Sequence, residues 1–126
     1  LPKESLPYVR AGVSNKDGTQ VTTPNNEPAS PVLVIGDSHL QVFRKGGNML
    51  ATRGGFIDLL QVNLALPVDE ISMQAGGADG PRVEIARTTS KNPDYWASKK
   101  VVVWVFTSRE FTQGKWRVIP AKVMKK

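Results

Sequence analysis

Two short, uninterrupted apolar runs constrain this chain more than any other feature. Val32-Leu33-Val34-Ile35 is purely aliphatic, and Val101-Val102-Val103-Trp104-Val105-Phe106 is the strongest strand signal in the sequence. A strand with one wet face would alternate apolar and polar residues. A continuous β-branched run suits a strand covered on both faces, as in the parallel sheets of α/β proteins. The segments between the runs fit that frame. Phe56, Leu59, Leu60 and Leu64 recur at helical spacing, which predicts an amphipathic helix over 55–66, ended by Pro67. Residues 68–73 read as a second strand. Pro81 stands where a first helical turn tolerates it, and 82–90 continues as a short helix until Asn92-Pro93. Residues 116–119 are expected as a last edge strand. Strands alternating with helices imply crossover connections and a mainly parallel sheet of the α/β class.

The first 30 residues have another character. Residues 8–13 and 20–23 are β-prone and flank Asn15-Lys16-Asp17-Gly18, a hairpin signal because the Asp-Gly step accepts positive φ. Residues 24–31 are polar and proline-punctuated. The expected organisation is therefore a hairpin and linker over 1–30 and an α/β domain over 31–126. At 126 residues, with 40% hydrophobic and 22% charged side chains, the chain is one globular domain's worth of polypeptide.

Charge and composition exclude several function classes. The formal net charge is +6, but Lys and Arg are spread along the chain, and only Lys122, Lys125 and Lys126 cluster. No recognition helix or basic aromatic sheet accompanies them, so nucleic acid is not an expected partner. The absence of cysteine removes disulfides, thiolate metal sites and cysteine nucleophiles. No apolar run reaches the length of about 18 residues that a membrane span needs. The start at Leu1, with no initiator Met and no signal pattern, reads as a processed or truncated chain.

Chemistry is expected at the carboxyl ends of the strands, where open α/β sheets bind ligands. Three polar or glycine-rich segments follow strands: Gly36-Asp37-Ser38-His39, residues 74–80, and Thr107-Ser108-Arg109-Glu110. Gly36 permits a sharp turn off the first strand, and Ser38 can present its hydroxyl to the cleft. A following helix would add free N–H groups for developing negative charge, which together meet the needs of acyl transfer at serine. The same tripeptide also reads as an ordinary helix cap, with Asp37 or Ser38 accepting from the first turn. A phosphate loop is a poor alternative, since the glycine spacing and lysine are missing. A metal site is poorer still, with one histidine and no carboxylate cluster.

The block Val32-Leu33-Val34-Ile35-Gly36-Asp37-Ser38-His39 resembles the GDS nucleophile motif of the SGNH hydrolase superfamily. Four further stretches follow in order. They are Gly55-Phe56-Ile57-Asp58-Leu59-Leu60, Pro67-Val68-Asp69-Glu70-Ile71, Ala75-Gly76-Gly77-Ala78-Asp79-Gly80-Pro81-Arg82, and Val102-Val103-Trp104-Val105-Phe106-Thr107-Ser108-Arg109-Glu110-Phe111. This set resembles the SGNH-like domains of polysaccharide O-acetyltransferases of the alginate type, over about residues 30–120. The resemblance implies a three-layer α/β/α, flavodoxin-like sheet and acetyl transfer through a serine ester, without a cofactor. It implies a polysaccharide or other carbohydrate substrate, an acetyl donor, a membrane-bound acyl-donor protein as a possible partner, and a periplasmic or extracytoplasmic location. Ser38 matches the nucleophile and contributes its own N–H to the oxyanion hole. Gly76 and Gly77 are candidates for a second N–H, although a plain β-to-α turn explains them equally.

Asp37, His39 and Arg109 are the candidate substrate-binding residues. For Arg109 the alternative is an ion pair with Glu110 or Asp79. Trp104, Trp116 and Tyr95 are candidates for stacking on sugar rings, with Trp104 expected in the core and Trp116 exposed.

One departure from the family pattern matters. His39 directly follows Ser38, and adjacent side chains diverge, so it is a poor base for that hydroxyl. Common SGNH hydrolases carry an Asp-x-x-His block near the C-terminus, and none occurs here. In the acetyltransferase branch an Asp-x-His pair precedes the serine block and would lie upstream of Leu1. On that reading the chain alone is inactive or nearly so. The alternative is an inactive SGNH-like module that binds an acidic glycan.

Overall fold

The computed structural model describes Asp17, Thr23 and residues 26–119. The expected hairpin over 8–23 falls almost wholly outside these residues. Three strands, β1 (Val32–Asp37), β2 (Asp69–Met73) and β3 (Val101–Val105), form a parallel sheet in the order β2-β1-β3. Helix α1 (Phe56–Leu64) connects β1 to β2, and α2 (Asp79–Lys91) connects β2 to β3. A single turn, α3 (Glu110–Gln113), follows β3. The α/β class and the parallel sheet are therefore as the sequence predicts.

The strand β1 is central because it can be buried on both faces. Leu33 and Ile35 pack with Ile85 of α2 and with Tyr95. Val34 packs with Leu40, with Ile57 of α1 and with Val68. Alternation of side chains along a strand thus divides the core between two faces. Full burial of each such aliphatic residue contributes about 1.5–3 kcal/mol, and Leu33, Val34, Ile57 and Val68 are all completely buried.

Three expectations need correction. Most of the apolar stripe of α1 does not face the core: Phe56, Leu59 and Leu64 are exposed and only Leu60 packs against it, while Ile57, Asp58 and Gln61 are buried. Hydrogen bonds set this rotation. Asp58 Oδ2 accepts the Gly55 N–H at 3.1 Å. Its Oδ1 pairs with Arg44 and accepts from Thr23 Oγ1 at 2.6 Å. Gln61 Oε1 accepts the Val68 N–H at 3.0 Å. A buried amide or carboxylate without such partners costs more than an exposed leucine gains.

Strand β3, the most apolar in the sequence, is an edge strand among the described residues, with Val101, Val102 and Trp104 exposed. Trp104 is thus not a core residue. The outer side of β2, by contrast, is lined by residues 26–27: the Glu27 N–H donates to Val68 O at 3.1 Å and the Glu70 N–H to Asn26 Oδ1 at 2.5 Å. Residues 116–119 form no strand. Instead Trp116 packs edge-on against Trp104 and Phe106, and the Arg117 N–H donates to Asp79 Oδ1 at 3.0 Å.

Two buried ionic clusters flank the sheet. Arg44, from the basic, glycine-rich stretch 44–55, is buried against Glu70 (Nε to Oε2, 2.8 Å) and Asp58. At the amino ends of the strands, Lys99 Nζ meets Asp69 Oδ2 at 2.9 Å, and both side chains are almost fully buried. Tyr95 OH donates to the same Asp69 oxygen at 2.5 Å. Tyr95 is therefore a core residue rather than a sugar platform. Burial first, then the hydrogen bond to Asp69 and its negative charge, pushes the phenol far above its ordinary value.

Candidate functional site

The three segments expected to carry chemistry leave the sheet at one level. Gly36 is paired with Ser72 and Asp37 with Met73, while Gly36 also stands opposite Val105. Ser38, the turn after Met73 and the Phe106-Thr107 step therefore emerge side by side from the carboxyl edge. Gly36 is required by packing: a Cβ there would lie 2.6 Å from both Leu40 Cδ1 and the Val105 carbonyl oxygen. The close approach of β3 at this point depends on glycine.

A single 3-10 turn, Ser38–Gln41, follows β1 in place of a full helix. Its cap is Asp37, whose Oδ1 accepts the His39 N–H at 2.9 Å. The cap role thus falls to Asp37 and not to Ser38. Among the described residues no group hydrogen-bonds to Ser38 Oγ, and the residue is half-buried at the edge. The same Asp37 oxygen lies 2.7 Å from His39 Nδ1. Asp37 is buried, whereas the His39 ring is 55% exposed. Gln41, at the end of the turn, donates to Ser72 Oγ at 2.9 Å, and Ser72 Oγ donates to Glu70 Oε1 at 2.5 Å. The serine turn is thereby tied through β2 to the buried Arg44 cluster.

The turn after β2 is shaped by a carboxylate. Gly77 has φ +53°, and a Cβ on it would lie 2.7 Å from Glu110 Oε2. That oxygen accepts the Ala78 N–H at 3.0 Å, just before the first turn of α2. Gly76 closes the turn through its carbonyl, which accepts the Gly80 N–H at 2.8 Å. Of the two readings for this pair, the β-to-α turn accounts for every contact described. Glu110, which the sequence did not single out, holds both the second and third segments together.

Arg109 is exposed, with Nε 3.8 Å from Glu110 Oε1, so it forms the ion pair foreseen as its alternative. Asp79 pairs instead with Arg82 at 3.1 Å and Arg117 at 2.9 Å. Thr107, level with the serine turn, has a buried hydroxyl with no partner among the described residues. Beside this edge lies an exposed aromatic group. Trp104 and Trp116 are 36% and 42% exposed, and the Arg82 guanidinium stands 6.0 Å and 5.5 Å from their ring centroids.

A groove of about 410 Å³ lies elsewhere, between α2 and residues 117–119, lined by Val83, Arg87, Lys91 and Val118 among others. It contains none of the hydroxyl, imidazole or carboxylate groups of the strand edge, so the edge is the better candidate for chemistry. Among the described residues no three His, Asp or Glu side chains converge to hold a metal ion. No helix there is long and apolar enough to cross a membrane.

Comparison with models of known protein families, with curated proteins and with solved structures gives no significant match.

Proposed function

We propose that this chain carries the nucleophile of a serine acyl-transfer site, on a three-layer α/β/α framework of the SGNH type. Ser38 Oγ attacks the carbonyl of an acetyl donor, the donor alcohol leaves with a proton, and an acetyl-serine ester remains. A carbohydrate hydroxyl or water then takes the acetyl group and restores Ser38. The donor in this reading is an ester or a membrane-bound acyl-donor protein in the periplasmic or extracytoplasmic space, and the acceptor is a polysaccharide. One observation carries the reading. Ser38 is the first residue beyond the central strand, its hydroxyl is unengaged among the described residues, and a carboxylate–imidazole pair flanks it.

The test is p-nitrophenyl acetate with the chain and its Ser38→Ala variant, followed by mass spectrometry of the protein. The expected result is an acetyl adduct that maps to Ser38 and is lost in the variant. Equal background in both, the result expected of an incomplete or binding-only domain, would refute an acyl-transfer site that works within this chain. A second reading, a binding module for acidic glycans, draws on the exposed Trp104–Trp116 pair with Arg82 beside it. Flat rings stack on sugars, and a guanidinium complements a uronic carboxylate. Binding of a uronic acid oligosaccharide, abolished by Trp116→Ala, together with no Ser38 adduct, would favour that second reading.

A further inference from the structure

His39 is the one histidine of the chain, and its ring is held rather than free. An ionised carboxylate only accepts hydrogen bonds, so with Asp37 Oδ1 at 2.7 Å the neutral ring carries its proton on Nδ1. Nε2 then keeps its lone pair. Asp37 is itself fixed, since it is buried at the strand end and the same oxygen accepts the His39 backbone N–H. A carboxylate that fixes the tautomer and stabilises the imidazolium is the orienting half of a serine-type proton-transfer system. The exposed ring leaves Nε2 open to an incoming molecule.

Resting on the reading of Ser38 as nucleophile, we propose that Asp37 and His39 form the proton-transfer dyad of this site. His39 Nε2 takes its proton from the hydroxyl that attacks the Ser38 acetyl ester. The pair sits in the order Asp-Ser-His within the motif itself, so no pair from another part of a longer chain is needed for this step. Direct transfer from Ser38 Oγ is not the role. Neighbouring side chains diverge on the 3-10 turn, and no bond joins the two groups. The acceptor hydroxyl gives its proton to Nε2 as its oxygen adds to the acetyl carbonyl. The tetrahedral adduct expels Ser38 Oγ, which takes a proton from water, and the imidazolium returns its proton to solvent. The acetylated sugar leaves, or acetic acid when water is the acceptor. Proton, bond and electron pair balance without a redox partner.

Asp37 is the charged group in contact with the ring. The other charged groups of this edge are engaged elsewhere: Glu110 with Arg109 and the Ala78 N–H, Lys45 and Arg44 with Glu70, and Asp79 with Arg82 and Arg117.

The experiment uses the 126-residue chain and its His39→Gln, Asp37→Asn and Ser38→Ala variants. It follows formation and breakdown of the Ser38 acetyl adduct from p-nitrophenyl acetate across pH, with side-chain 15N NMR of the single histidine. Breakdown in wild type should rise with pH through the histidine range. In His39→Gln it should be slower by about 10²-fold and lose that limb, which a merely structural role would not produce. In Asp37→Asn breakdown should also be slower, because the carboxylate that fixes the ring's tautomer is gone. NMR should find the neutral ring protonated at Nδ1.

A neutral ring protonated at Nε2 would overturn the dyad. So would an adduct that still forms on Ser38 but decays in His39→Gln at the wild-type rate and pH profile, and that result would leave the Ser38 reading standing. No adduct on Ser38 in wild type would overturn the acyl-transfer reading, and the dyad's role with it, whatever the NMR reads.

Discussion

Replacing Lys99 with methionine tests whether the amino end of the sheet is held by a buried ion pair. Lys99 and Asp69 each expose only 2–3% of their side chains, with Nζ 2.9 Å from Oδ2. Lys99 also donates to the carbonyls of Pro28 and Ser30, and its Nζ lies 4.6 Å from the Tyr95 ring centroid. The two partners are therefore unequal. Without Lys99, the Asp69 carboxylate is left buried with the Tyr95 hydroxyl as its remaining described partner. Without the Asp69 charge, Lys99 still has two carbonyl acceptors. Breaking a buried pair from one side costs about 3–5 kcal/mol, a large share of the roughly 5–15 kcal/mol that holds a domain folded.

Lys99→Met should fall in that range, and Asp69→Asn should cost less, about 1.5–3 kcal/mol for a charge-assisted hydrogen bond. The double variant should be more stable than Lys99→Met alone, because a neutral amide in place of the Asp69 carboxylate leaves no uncompensated charge buried. Urea unfolding followed by fluorescence of the 3 tryptophans reads all of these as midpoint shifts at constant m. The reasoning fails if Lys99→Met costs under about 1 kcal/mol, well below the range for a broken buried pair. It fails equally if the double variant is as unstable as the sum of the singles.

The rotation of α1 gives a second prediction: Ile57→Ala should cost about 2–5 kcal/mol, while Leu64→Ala, on the exposed stripe, should stay within about 0.5 kcal/mol. Equal costs in thermal or urea unfolding would mean that the apolar stripe faces the core after all. Tyr95 gives a pH prediction. Its phenol is raised in the folded state, so the folded chain holds that proton more tightly than the unfolded chain does. The resulting stability is fully present below the unfolded value of about 10 and is lost as pH rises above it. Tyr95→Phe should flatten that alkaline decline in urea midpoints between neutral and strongly basic pH. An unchanged decline would assign it to other groups.

Much of the candidate site was legible in the sequence. Gly36-Asp37-Ser38 marks the end of β1 because a glycine must admit the neighbouring strand and a short acceptor must cap the turn. The three polar segments meet at one edge because parallel strands share their carboxyl ends. The partners within that edge were not legible. Nothing in the spacing of Glu110 announces that it will accept the Ala78 N–H, and nothing in a basic, glycine-rich loop announces that Arg44 will be buried against Glu70 and Asp58. Nor does adjacency to Ser38 reveal that His39 folds back onto Asp37. These are contacts across sheet layers or across a tight turn, and each depends on side-chain direction rather than sequence distance.

By itself the sequence determined the elements and their class. Continuous apolar runs, the helical spacing over 56–64 and the Gly and Pro breaks are local properties, and they survive into the strands β1, β2 and β3 and the helices α1 and α2. Tertiary structure alone decided which strand is central and which face of a helix is buried. The aliphatic composition of β1 and β3 is nearly the same, yet among the described residues β1 has a neighbour on both sides and β3 on one. Most of the hydrophobic stripe of α1, Leu60 excepted, lost to Asp58 and Gln61 because buried polar groups demand particular partners at particular distances, whereas apolar burial is non-directional and tolerates exchange.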